Sequence, residues 1–369
     1  MNCFTMINQV VNKHSRFLLC AILLIGCSHS DSSHSWDGLR TDNNGIIVNE
    51  NFGMPFIDSF YGLYEQVSVS TENEIDGHFI ARIHDLLFIE GKGMYVADAT
   101  NMRICSFDTE GHFRSCFGRE GSGPGEFRNI TNLVHDSERD QIGVFDSRLS
   151  RFSWFSLNDE THVHSLQIEG RIGSLLYDPN EGFIFSEYVF QIEDAFFVSI
   201  TDSEGRVQKS VAPVSETTSM NVLSGNTPAI ALSSEHLYVA YPNPYMIELF
   251  TRSEFDLSKR ITLQKEGFDV AETHDGTEAS GGLMLGKPMP SKINGVFLNG
   301  DDGGIVVESQ IEPGYASLDY FDADGRYLYS VELPFEHRTV QITNGRIYTF
   351  IRGINEELAG VFVMEKRLR

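Results

Sequence analysis

The chain is short of positive charge: 28 lysines and arginines stand against 52 aspartates and glutamates, for a formal net charge of −24 over 369 residues. Nucleic-acid binding rests on neutralising phosphates with basic side chains, so the balance argues against that class and fits a well-solvated surface. Cysteine is scarce as well, five in all, with Cys3, Cys20 and Cys27 crowded into the first 27 residues. Long alanine- or leucine-rich runs are few, which disfavours a helical bundle, whereas 33 glycines and 27 phenylalanines favour many short strands joined by turns. Chemical signatures are missing too. Gly121-Ser122-Gly123-Pro124-Gly125 lacks a following Lys-Ser/Thr and lies between strands, so it is no phosphate loop, and no serine elbow is present.

What is there begins with an export signal. Lys13 and Arg16 precede the apolar run Phe17 to Ile25, too short to span a bilayer but suited to a signal-peptide core. The run ends in Leu24-Ile25-Gly26-Cys27, which resembles the lipobox of bacterial lipoproteins. That resemblance implies cleavage after residue 26, lipid on Cys27, and residence at the bacterial cell envelope, with the outer membrane expected. Residues 27–45, rich in Ser, His, Asp and Asn, are then expected as a flexible tether and residues 46–369 as the folded domain.

From residue 79 onward a unit of strands and turns recurs. Its second strand is Tyr95-Val96-Ala97-Asp98, then Gly143-Val144-Phe145-Asp146, Phe183-Ile184-Phe185-Ser186, Leu237-Tyr238-Val239-Ala240, Ile305-Val306-Val307-Glu308 and Ile347-Tyr348-Thr349-Phe350. A turn recurs with it, at Phe107-Asp108-Thr109-Glu110-Gly111, Thr201-Asp202-Ser203-Glu204-Gly205 and Phe321-Asp322-Ala323-Asp324-Gly325. A unit of this size cannot bury both faces alone, so the repeats predict a radial stack: an all-β, six-bladed β-propeller. Blades are expected near 79–117, 127–168, 170–213, 227–265, 292–333 and 338–365. The sixth unit is one strand short, and the isolated strand at 64–70 is predicted to close the ring by pairing into it. Ile46-Ile47-Val48 is strand-like with no assigned partner. Phe117-Gly118 with Gly121 to Phe127, and Tyr95 to Asp98 with Asn101 to Ile104, resemble the NHL repeat, although blade two carries Ile130 and Asn132 where that repeat has proline and glycine. More closely, residues 56–155 are similar to the six-bladed propeller lipoproteins of exported bacterial proteomes, a resemblance that implies fold and location but no activity.

In a propeller the first strand of each blade lines the central channel. Aligning blades places Asp85, Asn132, Ser174, Ala229 and Asn294 at equivalent channel positions, with Thr339 or Gln341 from blade six. Such short oxygen-bearing side chains could line a wet channel, or let Asp85, Asn132 and Asn294 hold Ca²⁺ for a hydrolase or lyase. Just before them stand Arg82, Arg128, Arg171, Lys292 and Arg338. This basic ring would draw an anionic small molecule, glycan or peptide, or else serve as mortar between blades. Residues 215–226 and 266–291 are long insertions flanking blade four, either surface loops or a lid. Cys105 and Cys116 flank a turn; a two-residue turn would set Cys105 against Arg114, so a disulfide and two buried thiols both stay open. Weaker pairs are His162 with His164, His84 with Asp85, and His274 with Asp275. Asp98 with Arg103 and Asp146 with Arg151 read as ion pairs inside their blades. The expected function is a binding or scaffolding module, for a ligand or a protein partner, working through the basic mouth. An enzyme with a channel metal and an accessory lipoprotein of a nutrient-uptake system are the alternatives.

Overall fold

The computed structural model describes residues 36–53, 61–70, 80–271, 291–300, 303–311, 315–333, 337–351 and 360–368. Cys27, the leader and His274-Asp275 lie outside them. The chain forms a six-bladed propeller of antiparallel sheets. Blade one is Ile83–Ile89, Gly93–Asp98, Arg103–Phe107 and Phe113–Phe117. Blade two is Ile130–Asp136, Gln141–Asp146, Arg151–Ser156 and His162–Gln167; blade three is Ile172–Asp178, Gly182–Glu187, Phe196–Thr201 and Val207–Pro213. Blade four runs Ala229–Leu232, His236–Tyr241, Met246–Thr251 and Leu257–Leu263; blade five runs Ser291–Asn299, Gly304–Ile311, Tyr315–Phe321 and Tyr327–Leu333. Blade six takes Arg338–Thr343, Arg346–Ile351 and Gly360–Leu368 from the C-terminus and Tyr61–Ser70 from the N-terminal side, which closes the ring as the repeat pattern predicts. Among the described residues no helix is long and apolar enough to cross a membrane.

The second strands are apolar on both faces because alternate side chains pack against opposite neighbours. In blade one, Met94 and Val96 join Tyr348, Phe350, Val361 and Val363 of blade six, while Tyr95 and Ala97 join Ile130, Ile142 and Val144 of blade two. Four further clusters bridge the remaining blade boundaries in the same way. The core is therefore a ring of interfaces, and no blade owns one alone.

The recurrent Asp-x-x-Gly turn has a steric counterpart. Blades one, three and five, which carry it, begin their second strand with Gly93, Gly182 and Gly304. A Cβ on these glycines would lie 2.1 Å from Phe107 O, 2.4 Å from Thr201 O and 2.3 Å from Phe321 O, in the backbone that leads into each turn. Gly182 also holds φ +97°, where a side chain is strained. Gly182→Ala is expected to cost about 2–3 kcal/mol, read from the urea midpoint. A cost under ~0.5 kcal/mol would show that the turn can retreat.

Two segments differ from the sequence reading. Residues 38–45, expected within the tether, fold: Gly38–Asn43 and Ile46–Asn51 form a hairpin, and its second strand pairs in parallel with Leu257–Leu263, extending blade four to six strands. Polar side chains carry this attachment. Asn51 Nδ2 donates to Thr262 O (2.9 Å) and Gly325 O (3.2 Å), while its Oδ1 accepts from Tyr327 N and Trp36 Nε1, both at 2.8 Å. The second difference is register in blade one. The turn has three residues, with Asp108 N bonded to His112 O at 2.9 Å, and a bulge between Ser106 and Phe107 adds one more, so Cys105 faces Cys116 directly instead of Arg114, and the two form a disulfide.

The two insertions are pinned to blade four where they are described. Asn243, 1% exposed, donates from Nδ2 to Asp269 O (2.9 Å) and Ser291 O (3.1 Å), and its Oδ1 accepts from Ala271 N (3.0 Å). Its backbone N donates to Asn221 Oδ1 at 3.0 Å, and Asn221 Nδ2 returns a bond to Asn243 O at 2.6 Å. Asn221 sits on the short helix Ser219–Leu223 of the first insertion. One asparagine thus fastens both segments.

Candidate functional site: the axial channel

The first strands of all six blades converge on a cavity of about 680 Å³. In five blades that strand begins with a bulge: Ile83/Asp85, Ile130/Asn132, Ile172/Leu175, Ile293/Gly295 and Thr339/Gln341. Bulges bend the strand and re-aim its side chains. Asp85, Asn132, Ser174, Ala229, Asn294, Thr339 and Gln341 all line the cavity. Asn294 occupies the bulge itself, and the register partner of Asp85 and Asn132 in blade five is Gly295.

Most of these polar groups are tied to the next blade. Asp85 Oδ2 accepts from Leu133 N of blade two at 2.7 Å, and its Oδ1 from Leu86 N at 2.9 Å. Asn132 Nδ2 donates to Gly173 O of blade three (3.0 Å), and Ser174 Oγ to Pro228 O before blade four (3.5 Å). Glu308 of blade five accepts from Thr339 N of blade six (2.8 Å), and Gln341 Oε1 from Phe88 N of blade one (3.0 Å). The channel tier thus supplies bonds between blades, a role that the sequence had left open as the alternative for the basic residues. Among the residues that line the cavity, three buried side-chain atoms make no protein hydrogen bond: Asn132 Oδ1, His135 Nε2 and Thr339 Oγ1. A Ca²⁺ ion on Asp85, Asn132 and Asn294 would compete with both backbone bonds of Asp85.

The five basic residues do not line the cavity. Arg82 precedes Ile83, which pairs with Asp98; in blade two the residue preceding the equivalent Ile130 is Asn129, so Arg128 stands one place outside the ring's register. Arg128 Nε donates to Ser122 Oγ (3.2 Å), Arg171 lies over the exposed Phe190 ring at 4.5 Å, and Arg338 reaches Glu308 at 3.6 Å. Burial raises the Glu308 carboxyl above its usual range, against the pull of Arg338. Three of the five thus make separate contacts outside the cavity lining.

At the other end of the first strands lie residues that the sequence reading passed over. His135, Tyr177, Asp178, Ser233 and Arg252 line the cavity there. Arg252 pairs with Asp178 at 2.6 Å and Glu181 at 3.5 Å, and donates to Ser233 O at 3.3 Å. Burial lowers the His135 pKa, which keeps the imidazole neutral, and raises that of the Tyr177 phenol. The signal of His135, Tyr177, Asp178 and Ser233 was positional, since each lies at or just past the end of a first strand, three or four residues beyond the polar tier, whereas Arg252 follows the third strand of blade four.

Other candidates resolve into structure. Asp98 pairs with Arg103 at 3.4 Å, but Arg151 turns from Asp146 to bind Ser122 O (2.8 Å) and Gly123 O (3.0 Å). Asp146 instead caps the amides of Arg148 and Leu149. The glycine loop at 118–127 has its Gly123 amide committed to Glu126 at 2.8 Å, so it is a hinge between blades one and two. His162 Nε2 contacts Ser165 Oγ at 2.8 Å, and among the described residues no third ligand joins it and His164.

A family model described as a six-bladed β-propeller, DUF5128, matches residues 56–281. The chain belongs to the DUF5128 family. Among solved structures, this DUF5128 chain is similar to a Bacteroides fragilis protein described as exported, with TM-score 0.61 and 13% identity over 87% of this chain and 99% of that one. It is also similar to a DUF4221 member from Bacteroides vulgatus, with TM-score 0.59 and 8% identity over 85% and 100% of the two chains. At such identities the likeness concerns the fold. No curated protein matches the sequence.

Proposed function

We propose that this DUF5128 propeller is an extracytoplasmic binding module, held to the bacterial envelope by lipid on Cys27, that takes a small molecule into its axial channel. The observation that carries this reading is the axial cavity, whose lining residues include Asn132, His135 and Thr339, each with a buried polar side-chain atom that makes no protein hydrogen bond. Buried polar atoms find partners in nearly every native structure, and water or ligand supplies what protein does not. The volume, about 680 Å³, falls in the range of small-molecule sites. Export is supported by the lipobox-like Leu24-Ile25-Gly26-Cys27 and by the description of the Bacteroides fragilis neighbour.

Two measurements test it. Radiolabelled palmitate is expected to label the wild type and not Cys27→Ala; equal labelling overturns the anchor. For the channel, the full chain is heated with monosaccharides, amino acids and short alcohols at millimolar concentration. A ligand at about 100 times its Kd adds ~2.7 kcal/mol of stability. Stabilisation is expected to vanish in Ser174→Trp, which plugs the channel. A panel in which no stabilisation depends on the plug overturns the binding reading.

A further inference from the structure

First and third strands start, and second and fourth strands end, on one side of the ring, as the pairs Ile130↔Asp146 and Arg151↔Gln167 show for blade two. The large apolar side chains left exposed gather on that side. Blades one, two and four join their second and third strands through four residues (99–102, 147–150 and 242–245), whereas blade three uses residues 188–195 and leaves Tyr188, Phe190 and Ile192 exposed. Leu223 and Val270, in the insertions that follow the fourth strands of blades three and four, are exposed there too, as is Phe52 after the N-terminal hairpin. Among the described residues only Val163 and Val207, near the starts of fourth strands, are exposed large apolar side chains on the opposite side. Scattered hydrophobics are ordinary on a surface, but gathered ones mark a membrane or a partner.

The start of the folded domain selects between them. Asn51 pairs with Leu263, the last residue of a fourth strand, and Trp36 Nε1 donates to Asn51 Oδ1 at 2.8 Å, so the fold begins on the same side. Trp36 is nine residues after Cys27, a reach of about 30 Å at full extension. On the reading that Cys27 carries lipid, we propose that this face of the propeller rests on the bilayer that holds that lipid, with the loop at 188–195 in the interfacial layer. Arg171, over the Phe190 ring at 4.5 Å, suits that layer, since an arginine stem covers apolar surface while its guanidinium meets headgroups. Glu169, Glu193 and Asp194 are exposed in the same two loops, so apolar contact and not net charge drives the docking. The cavity lining runs from the polar tier to His135 and Arg252 on the opposite side, which a docked face leaves in solvent.

The test uses the lipidated protein in vesicles of phosphatidylethanolamine with a minor share of phosphatidylglycerol, whose acyl chains carry bromine, a short-range quencher of tryptophan. Trp36→Phe removes the indole next to the tether, and Trp154, buried in blade two, is common to every variant. In that background Phe190→Trp and Leu223→Trp are each expected to lose roughly half or more of the added emission. Val207→Trp, beside the turn at 202–205 on the opposite side, is expected to lose little. Phe190→Ser with Ile192→Ser is expected to reduce the quenching of Leu223→Trp by ~3-fold or more, with the unfolding midpoint unchanged because both side chains are already exposed. Equal quenching on the two sides, or quenching that survives the serines, overturns the docking. Absence of quenching at both 190 and 223 overturns it as well, and hydrogen-exchange protection of residues 188–195 in intact envelopes but not in vesicles would then assign the face to a protein partner. Failure of the anchor itself is distinguished by palmitate that labels Cys27→Ala as well as the wild type.

Discussion

Asp319→Ala is expected to destabilise the protein by about 3–5 kcal/mol, measured by urea unfolding. Asp319 is fully buried between blades four and five and accepts from Tyr245 OH (2.7 Å), Ser309 Oγ (2.7 Å), Ser317 Oγ (3.2 Å) and Ser330 Oγ (2.5 Å), and from Lys265 Nζ. Lys265, 13% exposed, also donates to Ser309 Oγ at 2.9 Å and Ser317 Oγ at 2.5 Å. Truncating the aspartate strands an ammonium and several hydroxyls in a space that water enters poorly. Loss of one partner of a buried pair is costly, whereas replacing both by apolar groups is often neutral. Lys265→Met with Asp319→Leu is therefore expected to recover roughly half or more of the single-variant loss. Tyr245 reports on the same network: burial, reinforced by Asp319, pushes its phenol far above the ordinary range. If Asp319→Ala costs less than ~1 kcal/mol, water reaches the cluster and the interface between blades four and five is looser than its packing implies.

The parts of this fold that were legible in the sequence are those where one local rule decides. The second strands, apolar at consecutive positions, could only be buried on both faces, and the Asp-x-x-Gly turns repeat because each must reverse a strand in the same space. The closing strand was visible as a missing partner. What escaped depended on contacts distant in sequence. Gly38–Asn43 looks polar enough for a tether, and its hairpin is held by Asn51 bonds to Thr262, Gly325 and Tyr327, which no periodicity announces. At the channel, polar positions such as Asp85 and Asn132 could be named, but their bonds to Leu133 N and Gly173 O belong to the next blade and were invisible. Bulges caused the remaining differences. One extra residue moves Asn294 out of line with Asp85, and a bulge together with a three-residue turn brings Cys105 opposite Cys116. Asp319 stands in a strand, Tyr315–Phe321, whose alternation gives no hint that the carboxylate is covered.

A chain starting after Ser70 is expected to lose cooperative unfolding, while a permutant that restores the closing strand at the C-terminus is expected to regain it. Tyr61–Ser70 is the outer strand of blade six and pairs with Gly360–Leu368 over its whole length, from Gly360↔Ser70 to Leu368↔Tyr61. Without it Gly360–Leu368 becomes an open edge, and the cover over Val361, Val363 and Met364, each at most 5% exposed, is thinned. At about 1.5–3 kcal/mol for each fully buried side chain, losing even half of that burial costs roughly 2–5 kcal/mol, before the ladder bonds are counted. A domain's whole stability is about 5–15 kcal/mol. The damage does not stay in blade six, because Val361 and Val363 belong to the cluster that joins it to blade one. The register supplies the remedy. Since Leu368 lies opposite Tyr61, residues 71–368 followed by a two-residue turn and then residues 61–70 make an ordinary hairpin in place of the long-range closure. That permutant lacks the hairpin of residues 38–51, so its midpoint is expected below wild type but its transition single and steep. A truncated chain that unfolds as cooperatively as the permutant would show that the ring is closed by the packing of blades one and six, and that the strand only covers its edge.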